Sequence, residues 1–599
     1  MEMKQTLYIF IFVLIFAIFP GETVASQFDS FLPDELDFDI IFSDIPPEFD
    51  FSTATIFSFK KLPYITEESA MKLISLRDSL SYGYIMNNYD EIDGLSPMEY
   101  AVLRQLSTHK QQSSISDLSG SLRQGYIHNP QTEDISDSKY YLKAALSTSE
   151  NLRITCIGER DANEQRAFDL FSANVSASFD ENRIKVILGD YRHGFGQGLL
   201  YSRYGRNFGD GTGIMLRDVS RVENTSFDES YYLRGSYISI NRKWITSQVW
   251  YSLRKLDATL NETGNAVTLR DSGYHFTDSN RNNLKEQILG TRFKTNPLDG
   301  LSCAIAAALS YYSPSLAQKD GEPYFHDLIG STFHHISFDG TFQKGASTFF
   351  IEHVREGTDD HASISGLNIK KGTIKTTVAF RYFSEGYWAP RSGGFNTFGE
   401  NSNEKGVYSS LQTNLPHKTQ LNVSCDLART LYRRASTLLP DSQQRINVVL
   451  RKSITKKYNT WIGYRTADKY EKDMRRWNCR LGMEKKHWIN NKMRLQSHIA
   501  WSEAKDDGGP YYESAIDING SNLWWEFIGG VFDIPSYDSR YYRYEDNLPG
   551  RGYTLPVWGR GGLFIIVAGY GPLSVRYRYC DSDMMDFSQQ MAMQLDIIF

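Results

Sequence analysis

The chain has 599 residues and a formal net charge of −6, too mild a balance to imply a polyanionic partner. Aromatic residues make up 14%, with 37 Tyr and 35 Phe, a share high for a soluble enzyme and suited to a membrane barrel with interfacial aromatic girdles. The polar overall hydropathy does not exclude such a barrel, because half of each spanning strand faces a polar lumen.

The N-terminus carries the only long apolar run. Lys4 precedes the apolar stretch 7–19, Pro20 and Gly21 end it, and Thr23, Val24, Ala25 and Ser26 offer small residues for cleavage. That order reads as a secretory signal peptide over 1–26, since the apolar core is too short for an anchor. No later stretch approaches the ~20 apolar residues of a membrane helix, so a membrane-spanning mature chain uses strands. Residues 27–53 interleave Asp and Glu with Phe and Ile, and Pro46-Pro47 breaks any helix, which predicts an acidic linker.

Residues 54–112 change character. Ala70, Leu73, Ile74, Leu76 and Leu80 recur at helical spacing behind the cap Thr66-Glu67-Glu68, and Gly83 ends the run. A second helical stretch meets the turn Asp93-Gly94-Leu95-Ser96-Pro97, and a third follows from Met98. The segment resembles a tandem helix-hairpin-helix domain, with LPYITEE at 62–68 and IDGLS at 92–96 as the two hairpins. In DNA-binding members the hairpin is a Gly-apolar-Gly turn whose N–H groups meet a phosphate. Gly94, Leu95 and Ser96 are therefore the candidate nucleic-acid contacts. Residues 54–110 hold six bases against seven acids and only one hairpin glycine, so nucleic acid is a doubtful partner. A periplasmic protein partner, or a structural role, fits the module better.

From 113 to 599 the texture is uniform. Segments of about ten residues alternate apolar and polar side chains and are separated by Gly, Asn, Asp, Ser or Pro, which predicts a transmembrane antiparallel β-barrel of about 24 strands. Ile184, Val186 and Leu188 oppose Arg183, Lys185 and Ile187; Leu421, Val423, Cys425 and Leu427 oppose Asn422, Ser424 and Asp426. No fixed internal repeat is present, as a propeller or solenoid would require. Five well-separated cysteines (Cys156, Cys303, Cys425, Cys479, Cys580) read as small wall residues, with no metal or redox spacing. The chain ends QQMAMQLDIIF, where Met591, Met593, Leu595, Ile597 and Phe599 share one strand face, and Gln590, Ala592, Gln594 and Asp596 the other.

The most distinctive stretch is GDYRHGFGQGLL at 189–200. No Lys-Ser/Thr and no βαβ context support a phosphate loop there. Gly189, Asp190, Gly194, Gly196, Gln197 and Gly198 instead mark a strand that bends and leaves the wall, or close packing inside it. A second cluster, Tyr537, Asp538, Arg540, Tyr544 and Glu545, offers an ion-pair network in a connection, with Arg540 facing Asp538 or Glu545. Together with RYFS at 381–384, NEKG at 403–406 and GRGGL at 559–563, these stretches resemble the signatures of a family found in Bacteroidetes and related bacteria. That family joins a signal peptide, a periplasmic helix-hairpin-helix region and a large outer-membrane barrel, and has no established activity. The resemblance implies outer-membrane lipid and the barrel-insertion machinery as partners, with Phe599 as the assembly signal. The polar lumen of such a barrel points to passage or docking of a solute or macromolecule, with DNA uptake through the helix-hairpin-helix-like module as the alternative and a barrel hydrolase as the last. Connections after Gly198, around 386–403 and around 537–552 are expected to narrow the lumen. His193, His334, His335, His353 and His361 are the candidate bases, but none sits in a nucleophile motif. No enzymatic activity, cofactor or metal is expected.

Overall fold

The alternation of side chains along 118–598 produces one closed wall. The computed structural model describes these residues except for connections between strands, of which 203–221 is the longest. Residues 1–117 lie outside the described residues, and with them the leader, the acidic linker and the helix-hairpin-helix-like module with Gly94, Leu95 and Ser96. Phe599 lies outside them too.

Twenty-seven strands run from Leu118–His128 to Ser588–Ile598. Two of them, Tyr541–Asp546 and Gly552–Val557, form a separate hairpin. A third, Ala266–Arg270, folds back on the end of Ile245–Leu260 and bridges to Leu316. The other twenty-four of the described strands follow one another in chain order. The last pairs antiparallel with the first, from Ser121 opposite Ile598 to His128 opposite Met591. Among the described residues, closure gives each of these twenty-four wall strands a neighbour on both sides.

The two faces of this wall are reversed relative to a soluble sheet. Phe171, Leu188, Phe293, Ile336, Phe380 and Val531 are exposed on the outside. Glu286, Arg292, Asp339, Glu352, Arg381 and Glu404 are buried on the inside. An apolar outer face with a polar interior is the arrangement of a transmembrane β-barrel. The last strand follows it: Met591, Met593 and Ile597 are exposed, whereas Ala592 and Gln594 are buried. Ser424 and Asp426 point inward and Leu427 outward, as their alternation predicts. Cys156, Cys303, Cys425 and Cys580 are free thiols of wall strands.

Inside the wall, large rings sit beside missing side chains. Trp250 pairs across strands with Gly290, Tyr141 with Gly125, and Phe350 with Gly366. In each pair the ring occupies the place of the glycine's absent Cβ, at 2.2, 1.9 and 2.4 Å. This exchange packs a curved inner surface without overcrowding it.

Connections differ at the two ends. At one end the strands join through short turns such as 243–244, 299–300 and 372–373. At the other lie the long connections 192–232 and 384–403, and the stretch 535–558 that contains the separate hairpin. Short turns belong to the periplasmic end of such barrels and long loops to the outer end.

Candidate functional site

Three long connections fold back onto the inner wall. The first follows the strand Ile184–Tyr191, in which Gly189 pairs with Asn174 on one side and Gly235 on the other. Its φ is 102°, and a Cβ there would lie 2.2 Å from the Ala173 carbonyl oxygen, so glycine is required for the two strands to approach. Asp190 is buried and takes a two-pronged contact from Arg234, at 2.6 and 2.8 Å. The chain then leaves the wall, and Arg192, His193, Phe195, Gln197, Leu199 and Leu200 are all buried.

Glu352, on the strand Ser347–Glu356, holds this segment in place. One of its carboxyl oxygens accepts the N–H of Gln197 at 2.5 Å and that of Leu199 at 3.1 Å. Gly196 has φ 57°, and a Cβ would stand 2.7 Å from the same oxygen, so a side chain here would push the turn off its anchor. The Phe195 ring lies 4.6 Å from the Arg292 guanidinium, which Asp339 holds at 2.9 Å. His193 and Tyr201 pack against Trp250, with centroids at 4.6 and 5.4 Å. Burial, with the Glu286 charge nearby, holds the Tyr201 hydroxyl above its ordinary range, offset only in part by the Trp250 hydrogen bond and the Arg391 charge.

The second connection, 384–398, packs directly on the first. Tyr387 donates its hydroxyl to the Leu199 carbonyl at 2.7 Å, and the Gly393 N–H donates to the Gly198 carbonyl at 2.9 Å. Burial, with Glu352 and Glu356 nearby, keeps the Tyr387 hydroxyl well above its ordinary value, so it stays a neutral donor. Arg391 reaches Glu286 on the wall at 2.7 Å, and Tyr312 donates to the same carboxylate at 2.8 Å. At the root of the connection Arg381 meets Glu404 at 2.5 Å and Asp426 at 2.7 Å. Glu404 also accepts the backbone N–H groups of Thr397 and Phe398. The signature stretches at 381–384 and 403–406 are thus brought together by one buried ion cluster.

The third connection carries the inner hairpin. Arg543 pairs with Glu513, and Tyr541 stacks on Tyr511 at 4.5 Å. Ser502 donates to the Arg540 carbonyl at 3.2 Å. The Arg540 guanidinium lies over Tyr537 at 3.9 Å and Tyr542 at 5.1 Å. It also donates to the Tyr542 hydroxyl and to the Tyr537 carbonyl, each at 2.7 Å, so these two tyrosines are its described partners. Asp538 is half-buried beside it, and the side chains of Tyr544 and Glu545 lie outside the described residues.

The histidines are dispersed. His193 sits among four rings, His335 contacts the Trp388 carbonyl at 2.7 Å on the inner face, and His334 is on the outer face. His353 and His361 stand together on the outer face, 5.7 Å apart, with His353 bonded to Ser363. Among the described residues no group of three or more His, Cys, Asp or Glu could hold a metal. Glu286, Arg292, Asp339 and Arg391 were not singled out by motif. For the first three the signal is a charge at an inward position of a strand whose other face is apolar, whereas Arg391 lies in the connection 384–398 and carries no such signal.

Wall and interior together define a transmembrane β-barrel of outer-membrane type with inward-folded connections. No family model and no curated protein matches the chain. Among solved structures it is similar to the copper transporter OprC, at 9% identity and a TM-score of 0.40 over 82% of each chain. It is similar to the siderophore receptor PirA from Acinetobacter baumannii, at 9% identity and 0.40 over 82% of this chain and 81% of that one. The FrpB iron transporter from Neisseria meningitidis gives 9% identity and 0.37 over 81% and 82%.

Proposed function

We propose that this chain is a Gram-negative outer-membrane barrel for passage or docking of a solute or macromolecule, with its lumen narrowed by 192–202, 384–398 and 535–558. The observation that carries the reading is the turn 196–199, buried inside a closed polar wall and fastened there by Glu352. Its fastenings are hydrogen bonds and ion pairs between connections and wall. Polar fastenings of this kind fix the connections in one position, because separating a buried pair leaves its charges uncompensated. The signature stretches support membership of the helix-hairpin-helix barrel family, in which 54–112 would face the periplasm and bind a protein partner there.

Planar-bilayer conductance of the refolded full chain tests this, alongside a variant lacking 387–396. Little conductance from the wild type and a large steady conductance from the deletion are expected. Two equally closed barrels at every voltage would overturn passage through the lumen.

A further inference from the structure

The outer wall carries an unusual pair of cations. Lys405 and Arg429 are direct cross-strand partners on neighbouring strands. Both are exposed on the outer face, at the end where the long connections lie. Like charges directly opposite each other destabilise a strand pair unless an anion sits between them. The nearest carboxylates in sequence, Glu404 and Asp426, point inward and are committed to Arg381. Among the described residues neither cation has a hydrogen bond or ion pair.

A groove runs along the wall beside them, lined by Phe380, Val407 and Leu427. The register makes this two parallel rows. Tyr382, Lys405 and Arg429 are successive partners in the row nearer the connections. Phe380, Val407 and Leu427 are successive partners in the row nearer the membrane centre. All three apolar residues are well exposed on a face that otherwise meets lipid tails. A pair of unbalanced cations above an apolar groove matches an acyl chain with an anionic group at its head.

We propose that this patch binds a phosphate-bearing lipid of the outer leaflet, its phosphate between Lys405 and Arg429 and one acyl chain along Phe380, Val407 and Leu427. The inference rests on the reading of the wall as lipid-facing. Removing both cations is expected to lower the affinity for an anionic lipid at least ~10-fold.

The test is native mass spectrometry of the full chain in neutral detergent, offered lipid A, phosphatidylglycerol or diacylglycerol. Wild type should retain the phosphate-bearing lipids and not diacylglycerol. Lys405→Gln with Arg429→Gln should retain them at least ~10-fold less well, Lys405→Arg should retain them, and excess inorganic phosphate should not displace them. Equal retention by the double variant, equal retention of diacylglycerol, or displacement by inorganic phosphate would each overturn the proposal. Heat-modifiable gel mobility shows that each variant is folded. Flotation of the wild type with phosphatidylcholine vesicles checks the lipid-facing wall separately, so failure of that reading is distinguishable from failure of the lipid site.

Discussion

Arg123 and Asp596 meet at 2.7 Å across 473 positions of chain, on the two strands that close the wall. Asp596 also accepts from Gln594, which in turn accepts the Tyr141 hydroxyl from the second strand at 2.6 Å. One polar thread thus runs over three strands at the inner side of the seam. Arg123 and Asp596 are each partly exposed, so either single Ala substitution should cost only ~0.2–1 kcal/mol, and the charge-swapped pair should recover most of it. The temperature at which the barrel loses its folded gel mobility is the measurement. A double swap no better than the singles would show that the pair is not coupled.

The seam depends on the last strand being delivered for closure. Deleting Phe599 is expected to lower outer-membrane levels while export across the inner membrane continues. Fractionation with immunoblotting reads both quantities, and unchanged outer-membrane levels would refute the assignment of Phe599 as an assembly signal.

Glu352 anchors the buried turn through two backbone donors. Glu352→Ala orphans the N–H groups of Gln197 and Leu199, at about 1–3 kcal/mol for each buried group left unpaired. Glu352→Gln keeps an acceptor oxygen and should lose less. Urea unfolding should rank wild type, Gln and Ala in that order. Single-channel recordings should show more frequent openings for Ala, and identical traces for all three would mean that the turn is held by other contacts.

Glycine requirements separate by environment. Gly189→Ala places a methyl against the Ala173 carbonyl and forces an unfavourable φ, whereas Gly264→Ala meets nothing within 4 Å at φ 81°. The second change should cost about 1–2 kcal/mol from backbone conformation alone. The first adds a steric clash inside the wall and should prevent assembly of a folded barrel. Comparable yields of folded protein from the two variants would contradict the role of Gly189 in strand approach.

What was legible in the chain was what local periodicity controls. The faces of Leu421 to Leu427 and of Met591 to Ile597 follow from alternation alone, as does the separation of His334 from His335. The partners of buried charges were not legible, because they depend on register between strands. Arg381 finds Glu404 only after a 20-residue excursion, and Asp426 only because the next strand pairs in one register. Arg540 shows the same limit, since its described partners are two tyrosine rings, one hydroxyl and one backbone carbonyl that only the folded connection places around the guanidinium.

The Arg381 cluster also predicts a graded response. Its side chain is almost wholly buried and contacts two carboxylates and the Thr397 hydroxyl, at 2.5 to 2.7 Å for the shortest contact to each. Arg381→Ala leaves Glu404 and Asp426 buried without their counter-ion, at a cost on the order of 3–5 kcal/mol. Arg381→Lys keeps the charge but loses the planar fork, so it cannot span both carboxylates and should fall between wild type and Ala. Because Glu404 also carries the N–H groups of Thr397 and Phe398, the damage should spread along 384–398 rather than stay at the wall. Limited proteolysis of folded barrels should cut that segment fastest in Ala and slowest in wild type. Faster cutting without lower global stability would place the cluster in fastening the connection. Lower stability without faster cutting would place it in the wall alone.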